Sequence, residues 1–426
     1  MNDFPIDSLQ SDAWAGIVAR LGGAEALAAS ALRHGAFRRP RGVKSAADLL
    51  RLVLAYGPGG RSLRVTAAEA AACGIADVCD VSLLERFQRC ADWLTALCGG
   101  LLARGDQPTG ERVDRLVRLV DGSRIEGPGK TCWRLHLCYD PGRQRIADVV
   151  VTPMARGETL DRVTIRPGEI AIADRGYPQP NSLRKARQAG SDVLVRLTWN
   201  SLHLRDAAGR SLDWSDLFAQ AARTGSVDMS VTVRKPRGGF KPLPLRLVIL
   251  PKPPEIVARA RKTAANTARK NQHQVDPRTL EAAEHLILIT SLAADAFPAQ
   301  WLATLYRVRW QIELAFKRLK SILHLDRLPA KNPDLARTWI TAHLLLALLI
   351  DDTAANWPNF PPQGCSTSRQ PSIWRQTCLI ANALRAAIWP PLTLVQIADI
   401  LRNRWRQLRE PPRRRSLQTF PQPALS

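Results

Sequence analysis

Between residues 116 and 197 the chain carries five short apolar runs, and no other feature restricts its fold as much. Residues 116–120, 133–139 and 145–152 are apolar or alternating and β-rich, so they read as three consecutive strands. Residues 170–173 make a fourth strand and 192–197 a fifth. A short helix at 182–188 separates these two, with Gly190 beyond its end. The order suggested is β-β-β-α-β-α-β, although residues 155–166, where the first helix belongs, carry little helical pattern. Such an order predicts an α/β domain with a mixed sheet flanked by helices.

The flanks differ in texture. Residues 1–110 read as helical, with Ala/Leu-rich stretches at 24–32 and 46–56 and a Pro58-Gly59-Gly60 break between helices. Thr66-Ala67-Ala68-Glu69 has the pattern of a capping box that opens a further helix. Gly74 suits the turn after it, and Ser82 suits the cap of a next helix ending near Cys98. Helix, short turn and helix is also the outline of a DNA-binding helix-turn-helix, an outline that any helical bundle shares. Residues 200–295 read as a β-rich insertion. Its strands at 227–234 and 243–251 surround a turn at 235–239, a basic helix spans 255–271, and another strand lies at 285–291. From Pro298 to about residue 404 the chain is helical, broken by a Pro-rich loop near 357–371, and the tail with Arg413-Arg414-Arg415 reads as disordered. The expected domains are therefore 1–110, a DNA-binding helical domain; 111–199 and 296–350, two parts of one catalytic core; 200–295, the insertion; and 351–426, a helical C-terminal region.

Charge narrows the partners. Lys plus Arg number 61 against 38 Asp plus Glu, a net charge of +23. That excess attracts polyanions, and nucleic acid is the first of these. A membrane surface is the rival, but no amphipathic anchor or lipidation signal accompanies the charge. The longest apolar run, 344–350, is far short of the roughly 20 residues that span a bilayer and reads as a buried helix. The N-terminus shows no signal-peptide pattern. The eight cysteines form no C-x2-C pair, which favours buried free thiols in a reducing compartment over a zinc site. A soluble cytoplasmic protein is expected.

Three acidic residues stand out by position. Asp121 and Asp174 each follow an apolar strand, and Glu313 lies in a segment, 306–325, that reads as one helix. Hard oxygen ligands converging from different elements are what a pair of divalent cations requires. Each residue alone has a plainer reading: Asp121-Gly122 as a hairpin turn, Asp174 as a strand-to-helix connection, Glu313 as a surface charge paired with Lys317. The helix is more specific than its glutamate. Tyr306, Arg309, Glu313 and Lys320 fall within an arc of about 60° on an ideal helix, with Lys317 close by. The Glu313–Lys317 pair leaves Tyr306 and Arg309 unexplained.

The spacing Tyr306-x2-Arg309-x3-Glu313-x6-Lys320 resembles the Y-x2-R-x3-E-x6-K signature of a large group of bacterial DDE insertion-sequence transposases. The resemblance extends back through Ala173-Asp174-Arg175-Gly176-Tyr177 and Val120-Asp121-Gly122-Ser123, and covers roughly residues 60–350. It implies an RNase H-like catalytic domain with a β-rich insertion between the second aspartate and the glutamate. It implies that Asp121, Asp174 and Glu313 hold two Mg²⁺ ions, with Mn²⁺ able to substitute. Tyr306, Arg309 and Lys320 would grip the DNA backbone, Lys317 lies beside them, and Arg196 aligns with another phosphate contact. A flipped base would stack on an aromatic residue of the insertion region, for which Trp199 and Trp214 are the candidates. The expected reaction is cleavage at transposon ends and joining of the 3′-hydroxyl to target DNA by two-metal-ion phosphoryl transfer. The partners are double-stranded DNA, both terminal inverted repeats and target, and a second copy of the chain, because two ends must be paired. The alternatives are a nuclease on the same scaffold that does not join strands, and a decayed copy that binds DNA as a repressor.

Overall fold

The computed structural model describes residues 13–105, 116–234, 241–270, 272, 274–356 and 372–404. The turn at 235–239, the Pro-rich stretch at 357–371 and the arginine-rich tail lie outside the described residues. The chain divides into two compact units, Leu102–Arg327 and Met1–Leu101 with Leu328–Ser426.

The first unit is built on one nine-stranded mixed sheet. Its strands are β1 (Val117–Glu126), β2 (Cys132–Asp140), β3 (Arg145–Pro153), β4 (Ile170–Ala173), β5 (Asp192–Arg196), β6 (His203–Arg205), β7 (Val227–Arg234), β8 (Leu243–Pro251) and β9 (His285–Thr290). Their spatial order is β3-β2-β1-β4-β5-β9-β8-β7-β6. β1, β4 and β5 run parallel, and every other pairing is antiparallel. The Ile-Ala-Ile-Ala of β4 is buried throughout, as a strand enclosed in the middle of a sheet must be. The first five strands give the RNase H-like arrangement. The strands of the 200–295 segment add to the same sheet, because β9 pairs with β5 in antiparallel register at Leu194↔Thr290 to Arg196↔Leu288.

The helix expected between the third and fourth strands is absent. Residues 155–166 hold a single 3₁₀ turn, Leu160–Arg162. The segment is pinned by the helix Pro180–Gln188 instead of coiling on itself. Ser182 Oγ accepts the Leu160 N–H at 2.9 Å and donates to Asp161 at 3.2 Å, while Lys185 pairs with Asp161 at 3.0 Å. Leu160 and Val163 supply the apolar contact, packing with Val120, Ala173, Leu183 and Ala186 in the main core. At the other end of β1, the buried Arg118 donates to Asp140 at 2.8 Å and Glu169 at 2.7 Å, tying β1, β2 and the entry to β4 together.

The second unit is helical. Its longest helix, Pro333–Ala355, is buried along most of its length, including every residue from Leu344 to Ile350. By length and composition that helix could cross a membrane, but 83% of its apolar window is buried inside the protein. Two capping expectations fail. The helix Leu63–Ala72 is capped by Ser62, whose side chain accepts from Val65 N–H, so Thr66 lies inside it and bonds back to the Ser62 carbonyl at 2.9 Å. The next helix, Asp80–Phe87, begins after Cys79 and stops short of a separate helix at Ala91–Gly105, so Ser82 is internal. Gly74 does take the turn, at φ +68°. Among the described residues the thiols are free, and of these only Cys90, Cys98 and Cys138 are buried; Cys79 is exposed and Cys73, Cys132 and Cys378 are half-buried.

Candidate active site

The site starts from register. β1 and β4 pair in parallel from Val117↔Ile170 to Val120↔Ala173. Asp121 and Asp174 are the next residue on each strand, so parallel neighbours carry them side by side. β4 ends there. β1 does not: it runs on as the antiparallel partner of β2, with Asp121 opposite Leu137 and Gly122 opposite His136. Asp121 is therefore mid-strand, not at a strand end, and Asp121-Gly122 is not a hairpin turn. The chain reverses later, around Pro128–Lys130, with Gly129 at positive φ.

The period-2 pleat then sorts the faces. Val120 and Ala173 point into the main core, and Asp121 points the other way. That second face is covered by the helix Trp310–Ser321, whose Arg318 donates to the Tyr139 hydroxyl of β2 at 3.1 Å. The helix carries Glu313 in its first turn.

The expected single helix over 306–325 is in fact two. Ala299–Arg307 ends and Trp310–Ser321 begins across a tight turn. There the N–H groups of Val308, Arg309, Gln311 and Ile312 bond three residues back rather than four. Side chains three apart eclipse in such a turn. Arg309 accordingly lies over the Tyr306 ring, with its Cζ 5.9 Å from the centroid.

Those two residues link the carboxylates. The Tyr306 hydroxyl donates to Asp174 Oδ1 at 3.2 Å. Arg309 Nη1 reaches Asp121 Oδ2 at 3.4 Å, and its Nη2 donates to Glu313 Oε1. Three acids far apart in sequence are thus joined through one guanidinium and one phenol. The environment splits the aspartates. Burial pushes the Asp121 carboxyl up to about 6; the Gly122 N–H and Arg309 oppose this, while Asp174 and Glu158 reinforce it. For Asp174, burial also acts upward, but the Arg175 N–H and the cations Arg309, Arg196 and Arg175 outweigh it and hold the carboxyl below its usual value. Burial, and then the Asp174 charge, raise the Tyr306 phenol above its usual range.

Arg196, at the end of β5, acts on both Asp174 and Tyr306 and so belongs to the group. Lys317 and Lys320 lie on the same helix as Glu313, about 6 and 10 Å further along its axis; Lys317 is exposed and Lys320 half-buried. Trp199 is held elsewhere. Its indole N–H donates to Thr279 at 3.1 Å and its ring is covered by Arg278 at 4.2 Å. Trp214 packs on Phe218 at 5.8 Å and against the core. Three residues given no role from sequence also bear on the site. Arg175 acts on Asp174, Lys252 is in electrostatic reach of Arg196 and Arg175, and Glu158 acts on Asp121. Arg175 stood inside a recognised block; Lys252 and Glu158 had no signal in local spacing.

Among the described residues, no three His, Cys, Asp or Glu side chains stand close enough to hold a metal ion as they are. A cation nonetheless already bridges two of the acids, namely the Arg309 guanidinium. The donor chemistry of three carboxylates fits a hard divalent cation.

Paired aspartates on parallel strands, a glutamate on the covering helix and cations among them are the groups that metal-dependent phosphoryl transfer on an RNase H-like sheet would use. The comparison with known proteins is specific. The family described as "Transposase DDE domain" matches residues 112–350. InsL of Escherichia coli K12, the product assigned as transposase to insertion sequence element IS186A, is 40% identical over 366 residues, covering 84% of this chain and 98% of InsL. The Escherichia coli transposase for insertion sequence element IS421 is 40% identical over 367 residues with the same coverage. The chain belongs to the DDE transposase family, and it is an insertion-sequence transposase dependent on divalent metal.

Proposed function

We propose that this transposase cuts DNA at the terminal inverted repeats of its element and joins the freed 3′-hydroxyl to target DNA, using Asp121, Asp174 and Glu313 to hold two Mg²⁺ ions, which Mn²⁺ can replace. The observation that carries this is the convergence of the three acids on Arg309 and Tyr306. Bound metal supplies Lewis acidity and lowers the pKa of coordinated water.

The chain's own groups do the rest. Tyr306 keeps its proton, because burial and Asp174 both disfavour the phenolate. It is a hydrogen-bond donor that orients Asp174, not a nucleophile. Were the acids occupied by a divalent cation, the Arg309 guanidinium would be released from Asp121 and Glu313 for phosphate oxygens, a charge-assisted contact that Arg forms well. Arg196, Lys317 and Lys320 extend the cationic surface along the DNA backbone and offset charge in the pentacovalent state. Trp199 serves as a platform for a flipped base by exchanging the Arg278 guanidinium for that base. The helical domain of residues 1–110 contacts the transposon end, and the helices after Asp334 pair two copies so that two ends are synapsed. The protein acts in the cytoplasm, at the nucleoid.

A strand-transfer assay tests the joining step. With pre-cut end oligonucleotides, a plasmid target and Mg²⁺, the purified protein yields joined products. Nicked plasmid alone, from protein that binds its ends, would assign it as a nuclease.

A further inference from the structure

Two glycines in the site need explaining. Gly122 follows Asp121 and Gly176 comes two residues after Asp174. Neither has a positive φ, so backbone conformation does not require glycine at either position. Space does. A Cβ built on Gly122 would lie 2.9 Å from Glu158 Oε1, and one on Gly176 would lie 2.6 Å from Glu158 Oε2. Each oxygen of one carboxylate fills the place of a missing side chain behind a site aspartate.

Glu158 is held there from outside. It precedes the 3₁₀ turn Leu160–Arg162, which Ser182 and Lys185 pin to the neighbouring helix. Its ion-pair partner, Arg134 Nε, is 3.5 Å away, beyond good hydrogen-bond range, and that nitrogen has no hydrogen-bond partner among the described residues. A second polar group nearby is also unsatisfied. Tyr177, 1% exposed, has a hydroxyl with no hydrogen-bond partner among the described residues, and the charges of Asp121, Glu158 and Asp174 all bear on it. A buried hydroxyl without a partner is costly, and such groups collect where a ligand or ordered water completes the site.

We propose that Glu158 is a positioning residue of the active site: its carboxylate, seated against Gly122 and Gly176, sets the spacing between Asp121 within β1 and Asp174 just beyond β4, and adds a fourth negative charge that raises the affinity of the site for a divalent cation. This rests on the assignment of Asp121, Asp174 and Glu313 as metal-holding residues. The effect of Glu158 reaches the chemistry through the two glycines and through the field at Asp121.

The test is Mn²⁺ titration of the full-length protein without DNA, with free Mn²⁺ followed by electron paramagnetic resonance and melting temperature recorded alongside. Glu158→Gln keeps shape and removes charge, so Mn²⁺ binding weakens about tenfold while the melting temperature holds. Gly122→Ala displaces the carboxylate, weakening Mn²⁺ binding and lowering the melting temperature. In a Glu158→Ala background the same Gly122→Ala change is tolerated, because the added methyl enters vacated space; that coupling is read as a double-mutant cycle. Wild-type Mn²⁺ affinity in Glu158→Gln overturns the proposal, as does a Gly122→Ala penalty that persists without Glu158. Asp121→Ala separates the two levels. If it abolishes Mn²⁺ binding while Glu158→Gln does nothing, only the role of Glu158 falls. If Asp121→Ala also leaves binding intact, the metal assignment itself fails.

Discussion

Replacing Arg118 by methionine should destabilise the sheet by about 4 kcal/mol. Arg118 is 3% exposed and donates to Asp140 at 2.8 Å and Glu169 at 2.7 Å. Burial alone would lower its pKa, yet Glu169 and Asp140 hold it above the usual value, so the pair energy outweighs desolvation. Methionine replaces the aliphatic stem but not the guanidinium, and leaves two carboxylates buried without that cation. Removing one partner of such a group costs about 3–5 kcal/mol, mostly as the penalty of the uncompensated charge. The backbone N–H groups of Arg143 and Arg166, on the outer oxygens at 3.0 and 2.7 Å, remain and keep the loss from exceeding that range. For a unit of this size, about 4 kcal/mol corresponds to a fall of roughly 8–16 °C in melting temperature. Circular dichroism melts give the number, and hydrogen exchange in β1 and β4 locates it. The triple variant R118M/D140N/E169Q, which discharges all three groups, should recover most of the loss. A cost under about 1 kcal/mol for Arg118→Met would refute the reasoning, as would a triple variant no better than the single one.

Further outcomes follow from other parts of the molecule. His136 is fully buried, and burial, with help from Arg134 and Arg162, lowers its pKa to about 4. Its folded pKa lies below the unfolded value of about 6.5, so its contribution is complete above pH 6.5 and is lost as pH falls through about 4; the shift amounts to at most about 3 kcal/mol. His136→Gln should flatten the stability profile over that window, and an unchanged slope would place the titration elsewhere. Binding to end DNA should weaken steeply as salt rises, because phosphate contacts release counterions; a flat response would remove the basic surface from DNA recognition. Arg309→Ala should bind Mn²⁺ at least as well as the wild type yet lose cleavage by about 100-fold or more, an amount typical for loss of one transition-state donor. Cleavage within about threefold of wild type would mean that Arg309 only balances charge.

Some of this was legible in sequence because it depends on local periodicity. The apolar 170–173 run is β4, and Asp174 follows it as expected. The parallel pairing that puts Asp121 beside Asp174 is written in neither run by itself; it lies in the register of β1 with β4. What was not legible depends on distant partners. Nothing local tells β1 to continue past Asp121, since that extension is stabilised by β2 across the sheet. The break at Val308 and Arg309 is invisible to an ideal 100° wheel, although it is what stacks Arg309 on Tyr306. The insertion strands look self-contained until β9 is seen paired with β5. Glu158 lies in a segment without periodicity. Its only trace in the sequence was a pair of glycines that positive φ does not explain.

The proposed holding of the catalytic metal by Asp121, Asp174 and Glu313 is tested most directly by single-turnover cleavage of a labelled transposon end in Mg²⁺ by Asp121→Ala, Asp174→Ala and Glu313→Ala, with end binding measured on the same preparations. All three should bind the end as the wild type does, and none should cleave it. Cleavage at a wild-type rate by any one of them would contradict the proposal.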